Sequence, residues 1–417
     1  MPASAHDRLE AVLKEHRARI LSSLIRTCGG DFDLAEETLH DAVVAAATQW
    51  PQQGTPDAPD AWLLQTARHK AIDVLRANAR KRAKHEELGR LRHLGAHGDR
   101  EVHAASIPDD MLRLIFTCCH PALREEARLA LTLRTVVGLP TVEIARAFLV
   151  SEQTMAQRLV RAKKKIREAR IPYRVPERSE MPERLEAVLL VVYLVFNEGY
   201  SASSGKHVVR GELCRHAIHV GRVLSELMPE EPEVLGLLSL MLLQDSRREA
   251  RTNDDGDLVL LHQQDRSRWD RAQIEEGLAQ CRAAHRVGAA GAYTIQAAIA
   301  AVHAQAKRAN DTDWKTIVRL YARLLLVRPT PVVALNHAVA SAMAHGAEEG
   351  LRLTKVLQPD LELYGPFHAA RADFLRTTEQ WEAAEAAYLR AIALSTHDPE
   401  RRFLEGRLAE VREQRDR

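Results

Sequence analysis

Residues 141–166 read TVEIARAFLVSEQTMAQRLVRAKKKI, which spells a helix, a tight turn and a second helix. Gly138 and Pro140, just upstream, are stop signals for a preceding helix. The first helix opens at Thr141 with Glu143 in its first turn, where a carboxylate suits the positive end of the helix dipole. Ile144, Ala145, Phe148 and Leu149 give it an apolar face. Ser151 is a natural N-cap for the second helix, and Glu152 follows it. Met155, Leu159, Ala162 and Ile166 then recur at helical spacing on one side. The opposite side carries Gln153, Gln157, Arg161 and Lys164, flanked by Thr154 and Arg158. A helix with an apolar back and a front of Thr, Gln and Arg suits the major groove, where such side chains match base edges.

The charge agrees. Between Thr141 and Arg170 there are eight Lys and Arg against three Glu, a balance of +5. Cations of this density neutralise phosphates, while the polar front supplies readout. An ordinary amphipathic helix pair with a solvated basic face would share the composition; the turn and the caps favour DNA binding.

At 417 residues the chain suits two or three domains. Helix formers dominate and strand-like alternation is nearly absent, so the expected fold is all-α. The formal charge of +2 is unevenly spread. Residues 1–178 hold 29 Lys and Arg against 23 Asp and Glu, and the remainder 30 against 34. That split predicts a nucleic-acid-binding front and a back part that does not bind nucleic acid. No apolar run is long enough for a bilayer and the N-terminus lacks a signal-peptide core, so no membrane association and a cytoplasmic location are expected. The five cysteines fit no disulfide framework. Cys118-Cys119-His120 invites a metal reading, but adjacent cysteines are poor tetrahedral co-ligands and a buried reduced helix face fits better. No metal or other cofactor is expected.

The first amphipathic helix runs from Leu9 to Cys28 and ends at Gly29-Gly30. Asp31 and Asp33 cap the next, to about Gln49, whose buried stripe is Ala35, Leu39, Ala42 and Ala46. Its other face shows Glu36, Glu37, His40, Asp41 and Val44, either a solvated face or a protein-binding surface. A loop is expected from Trp50 to Pro59. Asp60 then caps a helix whose Leu64, Ala67, Ala71 and Val74 pack inward. His69, Asp73, Arg76 and Arg80 share its outer face, beside Arg68 and Lys70, and basic residues continue through Lys81, Arg82 and Lys84.

Here a family resemblance becomes specific. GDFDLAEETLHDAV, a loop with Trp50, and AWLLQTARHKAIDVLR resemble region two of an extracytoplasmic-function (ECF) sigma factor of the sigma-70 class. Residues 141–166 resemble the helix-turn-helix of region four. DDMLRLIFTCCHPAL and the long helical tail resemble the subgroup with a C-terminal tetratricopeptide-like (TPR-like) extension. The resemblance implies that Glu36, Glu37, His40, Asp41 and Val44 dock on the β′ clamp of core RNA polymerase, and that region four meets the β flap. It implies that Trp62, Arg68, His69, Lys70, Asp73, Arg76 and Arg80 bind the −10 element, with the Trp50–Pro59 loop helping to melt it. Ser151, Gln153, Thr154, Gln157, Arg158, Arg161 and Lys164 are implied at the −35 element. His40 and Asp41 depart from the usual Gln and Glu, and His69 from the common Asn.

The implied domains are region two at 7–85, a linker at 86–106, region four at 107–170, a Pro-punctuated linker at 171–182 and the extension at 183–417. The extension opens with the apolar LEAVLLVVYLVFNEGYS. NDDGD at 253–257 resembles the start of a calcium loop without its later glutamate, and a turn into Leu258–Leu261 fits better. Repeat-like segments start at Trp314, Ala347 and Trp381, spaced by 33 and 34 residues, near the period of about 34 for tetratricopeptide repeats. Such helix pairs stack into a solenoid with a concave face for a peptide or protein partner. The expected function is a promoter-directing polymerase subunit, not an enzyme, regulated or supported by its extension. The alternative is a helix-turn-helix regulator with a TPR-like sensor domain that never binds core polymerase. The candidates for an enzymatic site, NEGYS at 197–201 and Asp254, Asp255 and Asp257, make no catalytic constellation.

Overall fold

The structure is a computed structural model that describes residues 5–89, 107–148, 150–200, 211–253, 259–395 and 398–416. Most of the linker expected at 86–106, Leu149 of the first helix-turn-helix face, Ser201 of NEGYS and Asp254, Asp255 and Asp257 of the calcium-like turn lie outside the described residues. The fold is all-α, with nineteen α-helices and no strand among the described residues. Contacts divide the chain into two units, Met1–Val191 and Val192–Arg417.

The first unit begins with α1 (Ala5–Thr27), α2 (Phe32–Gln53) and α3 (Pro59–Gly89), which pack pairwise on one another. Gly29 and Gly30 end α1 with φ of 69° and 93°, backbone that favours glycine. The Asp31 carboxylate then accepts from the N–H groups of Asp33 and Leu34 and caps α2. Ala35, Leu39, Ala42 and Ala46 are buried in the expected stripe.

Three expectations fail locally. The expected loop at Trp50–Pro59 starts as helix: α2 runs to Gln53, with Pro51 inside it, because buried Trp50 anchors that last turn. α3 begins at Pro59, so Asp60 lies in its first turn. Leu63, not Leu64, is fully buried, and Val74 is 39% exposed. Leu64 and Val74 are displaced because Leu63, Ala67 and Ala71 at four-residue spacing already fill the seam.

The next helices of this unit are α4 (Ile107–Cys118), α5 (Glu125–Thr132), α6 (Thr141–Ala147) and α7 (Glu152–Glu168). α5 continues as a π-turn over Leu133–Val137 and stops at Gly138, φ 87°. α5 and α6 pack on α7. α4 packs on α1, so this part and the first three helices form one unit. A buried ion pair joins them, Arg26 Nε to Asp110 Oδ1 at 2.8 Å. The Tyr173 hydroxyl adds hydrogen bonds to the Ser22 and Asp110 carbonyls at 2.8 and 3.3 Å.

α8 (Met181–Tyr200) carries the apolar run, with Val188, Val191 and Phe196 fully buried. The contact division falls within α8 rather than in the Pro-rich segment. In the second unit α10 (Pro232–Asp245) packs against α9 (Gly211–Leu227), α11 (Arg271–Val287) and α12 (Ala292–Gln305). Gly236 lets α10 approach α12: a Cβ there would lie 2.6 Å from the Thr294 backbone nitrogen. The Glu233 carboxylate accepts from the Tyr293 and Thr294 N–H groups, both at 2.9 Å, and caps α12 from another helix. Then follow α13 (Trp314–Val327), α14 (Pro331–His345), α15 (Ala347–Lys355), α16 (Gln358–Leu361), α17 (Gly365–Thr377), α18 (Trp381–Leu394) and α19 (Asp398–Arg415). Trp314, Ala347 and Trp381 each open a helix, and contacts run mainly between neighbours in sequence. No helix among the described residues is long and apolar enough to cross a membrane.

Candidate nucleic-acid interface

Ser151 caps α7: its Oγ accepts from the Thr154 N–H at 3.1 Å and lies 2.8 Å from the Thr154 hydroxyl. Met155, Leu159, Ala162 and Ile166 are buried, which fixes the opposite side as the outer face. Ser151, Gln153, Thr154, Gln157, Arg161 and Lys164 are exposed there, and Arg158 is half-buried. A groove of about 780 Å³ runs beside this face, lined by Thr154, Gln157, Arg158, Arg161 and Lys165 from α7. Arg124, at the start of α5, lines its other wall. The arrangement can take an acidic backbone along the groove while the front of α7 faces what lies within it.

Two residues escaped the sequence reading. Arg124 lies outside the helix-turn-helix and carries no periodic signal. Val160 is 65% exposed on the front of α7, between Gln157 and Lys164. Its signal was present: it falls out of phase with the 155–159–162–166 stripe, so it cannot be core.

Lys163, counted among the cations of this basic stretch, turns the other way. Its side chain is only 12% exposed and its Nζ lies 2.6 Å from Glu36 and 3.1 Å from Asp33. Glu36, expected on the outward protein-binding face, is correspondingly half-buried and held by α7. Its spacing on α2 places it at the edge of the face, and a lysine five helices away in sequence cannot be foreseen from that spacing. A cavity of about 860 Å³ lies along this seam, with Asp33, Lys163, Arg167, Arg170 and Tyr173 among its walls.

The rest of the α2 face is outward. Glu37, His40, Asp41 and Val44 are exposed, Val44 by 52%. Lys70 of α3 pairs with Asp41 at 3.5 Å, so the two predicted faces of the first three helices adjoin. On α3, His69, Asp73, Arg76 and Arg80 are exposed and Arg68 and Lys70 half-buried. Trp62 is half-buried with its ring edge-on to Trp50, centroids 5.6 Å apart.

Cys118 and Cys119 are buried and bonded to hydroxyls, Thr135 at 3.0 Å and Thr132 at 3.4 Å. Burial pushes both thiols up, Cys119 to about 11, as for reduced thiols in a helix interior. His120 Nδ1 accepts from the Ala122 N–H, closing a local turn. In NEGYS, Tyr200 serves packing: Arg247 donates to its hydroxyl at 2.7 Å.

Residues 13–81 match the sigma-70 region 2 family, and residues 113–166 match the sigma-70 region 4 family. Residues 184–285 match a family of unknown function, DUF6596. An uncharacterised protein of Rhizobium meliloti (strain 1021) is 42% identical over 403 residues, covering 95% of this chain and 94% of that protein. No solved structure matches the chain.

Proposed function

The chain belongs to the sigma-70 family, with regions 2 and 4 ahead of a helical extension, and we propose that it is a dissociable subunit, itself without catalytic activity, that directs core RNA polymerase to specific promoters. Promoter-specific transcription is the business of that family. The finer assignments below are our reading. The observation that carries them is the exposed polar front of α7, from Gln153 to Lys164, held outward by a fully buried back.

In this reading α7 enters the −35 major groove. Gln157, Arg158 and Arg161 meet base edges, while Arg124 and Lys165 hold phosphates across the groove they line together. Glu37, His40, Asp41 and Val44 dock on the β′ clamp, with Glu36 at the rim. The α3 face from Trp62 to Arg80 holds the −10 strand, where stacking and phosphate contacts offset the cost of unpairing. The domains are 7–85 for region two, 107–170 for region four and 183–417 for a TPR-like extension that regulates or supports them. The chain fits the ECF subgroup with such an extension and acts in the cytoplasm.

The test is run-off transcription from a cognate promoter with purified core polymerase. Promoter-dependent product is expected, and Asp41→Lys should lower both product and affinity for a β′ clamp fragment. DNA binding with no effect on core polymerase would instead establish a helix-turn-helix regulator with a sensor domain.

A further inference from the structure

The second unit gathers positive charge in its interior. Arg266 stacks on Trp269, 4.6 Å from the ring centroid, and Arg247 lies 6.0 Å from the same centroid. Arg251 lies 3.6 Å over the Tyr200 ring. Arg266 donates to the His303 and Ala306 carbonyls at 2.7 and 2.6 Å, and Arg251 to the Tyr200 carbonyl at 2.6 Å. Among the described residues the nearby carboxylates are engaged elsewhere: Asp245 with Arg248 and Gln273, Asp311 with Arg308. Among the described residues no ion pair reaches Arg247, Arg251 or Arg266. Arg251 and Arg266 are buried and Arg247 is half-buried, and cations withdrawn from water without a counter-charge are costly.

The same cluster leaves polar atoms unpaired. Arg266 Nε, Trp269 Nε1 and His303 Nδ1 are buried with no hydrogen-bond partner. Buried polar atoms are nearly always paired, and of these three residues His303 is the one that lines the cavity beside the cluster. Burial, then Arg247 and Arg266, push the His303 imidazole down to about 4.

A cavity of about 200 Å³ opens beside Arg247 and His303, the two members of this cluster that line it. Arg247, His303, Gln244 and Gln296 supply polar groups; Leu243 and Ile299 form part of an apolar wall, and among the described residues no carboxylate lines it. Its volume is below the range of drug-sized pockets, about seven water volumes. We propose that this cavity binds a small organic monoanion, a carboxylate with a short aliphatic body, whose head lies between Arg247 and His303 and whose chain lies on Leu243 and Ile299. A guanidinium fork matches a carboxylate, and the apolar wall distinguishes such a ligand from inorganic phosphate. The site is independent of the promoter assignments and makes the extension a small-molecule sensor.

Binding adds negative charge beside His303. The charged groups facing that ring are Arg247, ahead of α11 in sequence, and Arg266; α13 contributes Trp314 edge-on and Tyr321 at the cavity. Burial and both cations hold the imidazole neutral, and a bound carboxylate opposes the cations, so His303 titrates at higher pH in the complex than in the free protein. Affinity therefore rises as pH falls.

The experiment is calorimetric titration of the full chain with hexanoate and, separately, with inorganic phosphate. Hexanoate should saturate one site per chain, bind more tightly at about pH 6 than at about pH 8, and exceed phosphate at both. Arg247→Gln should weaken it about tenfold or more, the loss of a charged hydrogen-bond partner. Because Arg247 also holds Tyr200, Ala300→Trp is the second variant: it fills the cavity without touching the charges and should abolish binding. His303 should titrate at higher pH with hexanoate than without, read by NMR. Absence of saturable hexanoate binding, equal binding of phosphate, or binding unaffected by both variants would overturn the proposal.

Discussion

Helix α7 and the segment between α10 and α11 use arginine in opposite ways. In the first, Arg161, Arg167 and Arg170 point outward from or just beyond α7. In the second, Arg251 and Arg266 are buried and lie against aromatic rings. The side chain is the same, and the helix around it decides. On α7 a complete apolar stripe consumes the inward positions, so any arginine out of phase with it must face water. Arg247, Arg251 and Arg266 lie between α10 and α11, where no continuous stripe claims the interior. There a guanidinium can fill core space itself, provided rings and carbonyls replace its water. Outward arginines leave fold stability nearly unchanged when removed; inward ones hold the fold.

That contrast predicts the largest effect at Arg266. Arg266→Ala removes two hydrogen bonds to buried-side carbonyls and the stacking on Trp269. A loss of about 3–4 kcal/mol is expected in urea unfolding of the second unit. Arg266→Lys should restore little, because one ammonium cannot reach both carbonyls and stack. A loss below about 1 kcal/mol would put Arg266 with the outward class and break the comparison.

Arg161 is the matching outward case. Arg161→Ala should leave unfolding within about 0.5 kcal/mol of the parent. Promoter binding should weaken by about 1–3 kcal/mol, with specificity relaxed at one −35 position. A matrix of single-base −35 variants checks this, and a uniform loss across all positions would make Arg161 a phosphate contact.

The history of these residues in the sequence explains which features were legible. The α7 stripe, its Ser151 cap and the openings at Trp314, Ala347 and Trp381 are local patterns, set by residues a few positions apart. The end of α2 was not: Pro51 signals a break, and what keeps the turn helical is Trp50 packing edge-on against Trp62. The positions of Lys163 and Glu233 depend on partners 127 and about 60 residues away, beyond any periodicity. Arg124 gains its meaning only when α5 is laid beside α7. Of the candidate site, the exposed polar row on α7 was therefore readable, while the seam between the first three helices and α7 was not.

Lys163 sharpens the comparison within a single helix, two residues from Arg161. Its side chain is inward-facing and joined to Glu36 and Asp33. Lys163→Ala should cost about 1–2 kcal/mol of stability in the first unit, between the values for surface and buried pairs. Its effect on promoter affinity should be smaller than that of Lys165→Ala, whose side chain lines the groove. Comparing the two variants by salt-dependent DNA binding separates the cases. Lys165→Ala should reduce the salt slope by about one contact and Lys163→Ala should leave it unchanged. An equal slope change would place Lys163 on DNA and show that its link to Glu36 opens in the complex.

The smallest effect is expected at Val160, the apolar residue on the polar front. An exposed valine gains nothing in the free protein, where it remains 65% open to solvent. In a major groove the one apolar feature of base edges is the thymine methyl. Val160→Ala removes two methyl groups and adds no new one beyond the alanine Cβ, so the expected loss is about 1 kcal/mol on a promoter with a thymine at the contacted position. The partner can be altered as cleanly as the protein, by replacing that thymine with deoxyuridine, which deletes only the methyl. If the two groups touch, the double change costs little more than either single change, because each has already removed the contact. Four equilibrium titrations, of parent and Val160→Ala protein on thymine- and uracil-containing DNA, give the coupling directly. Strict additivity at every thymine of the −35 element would show that Val160 meets no base, and the polar residues flanking it would then carry the readout alone.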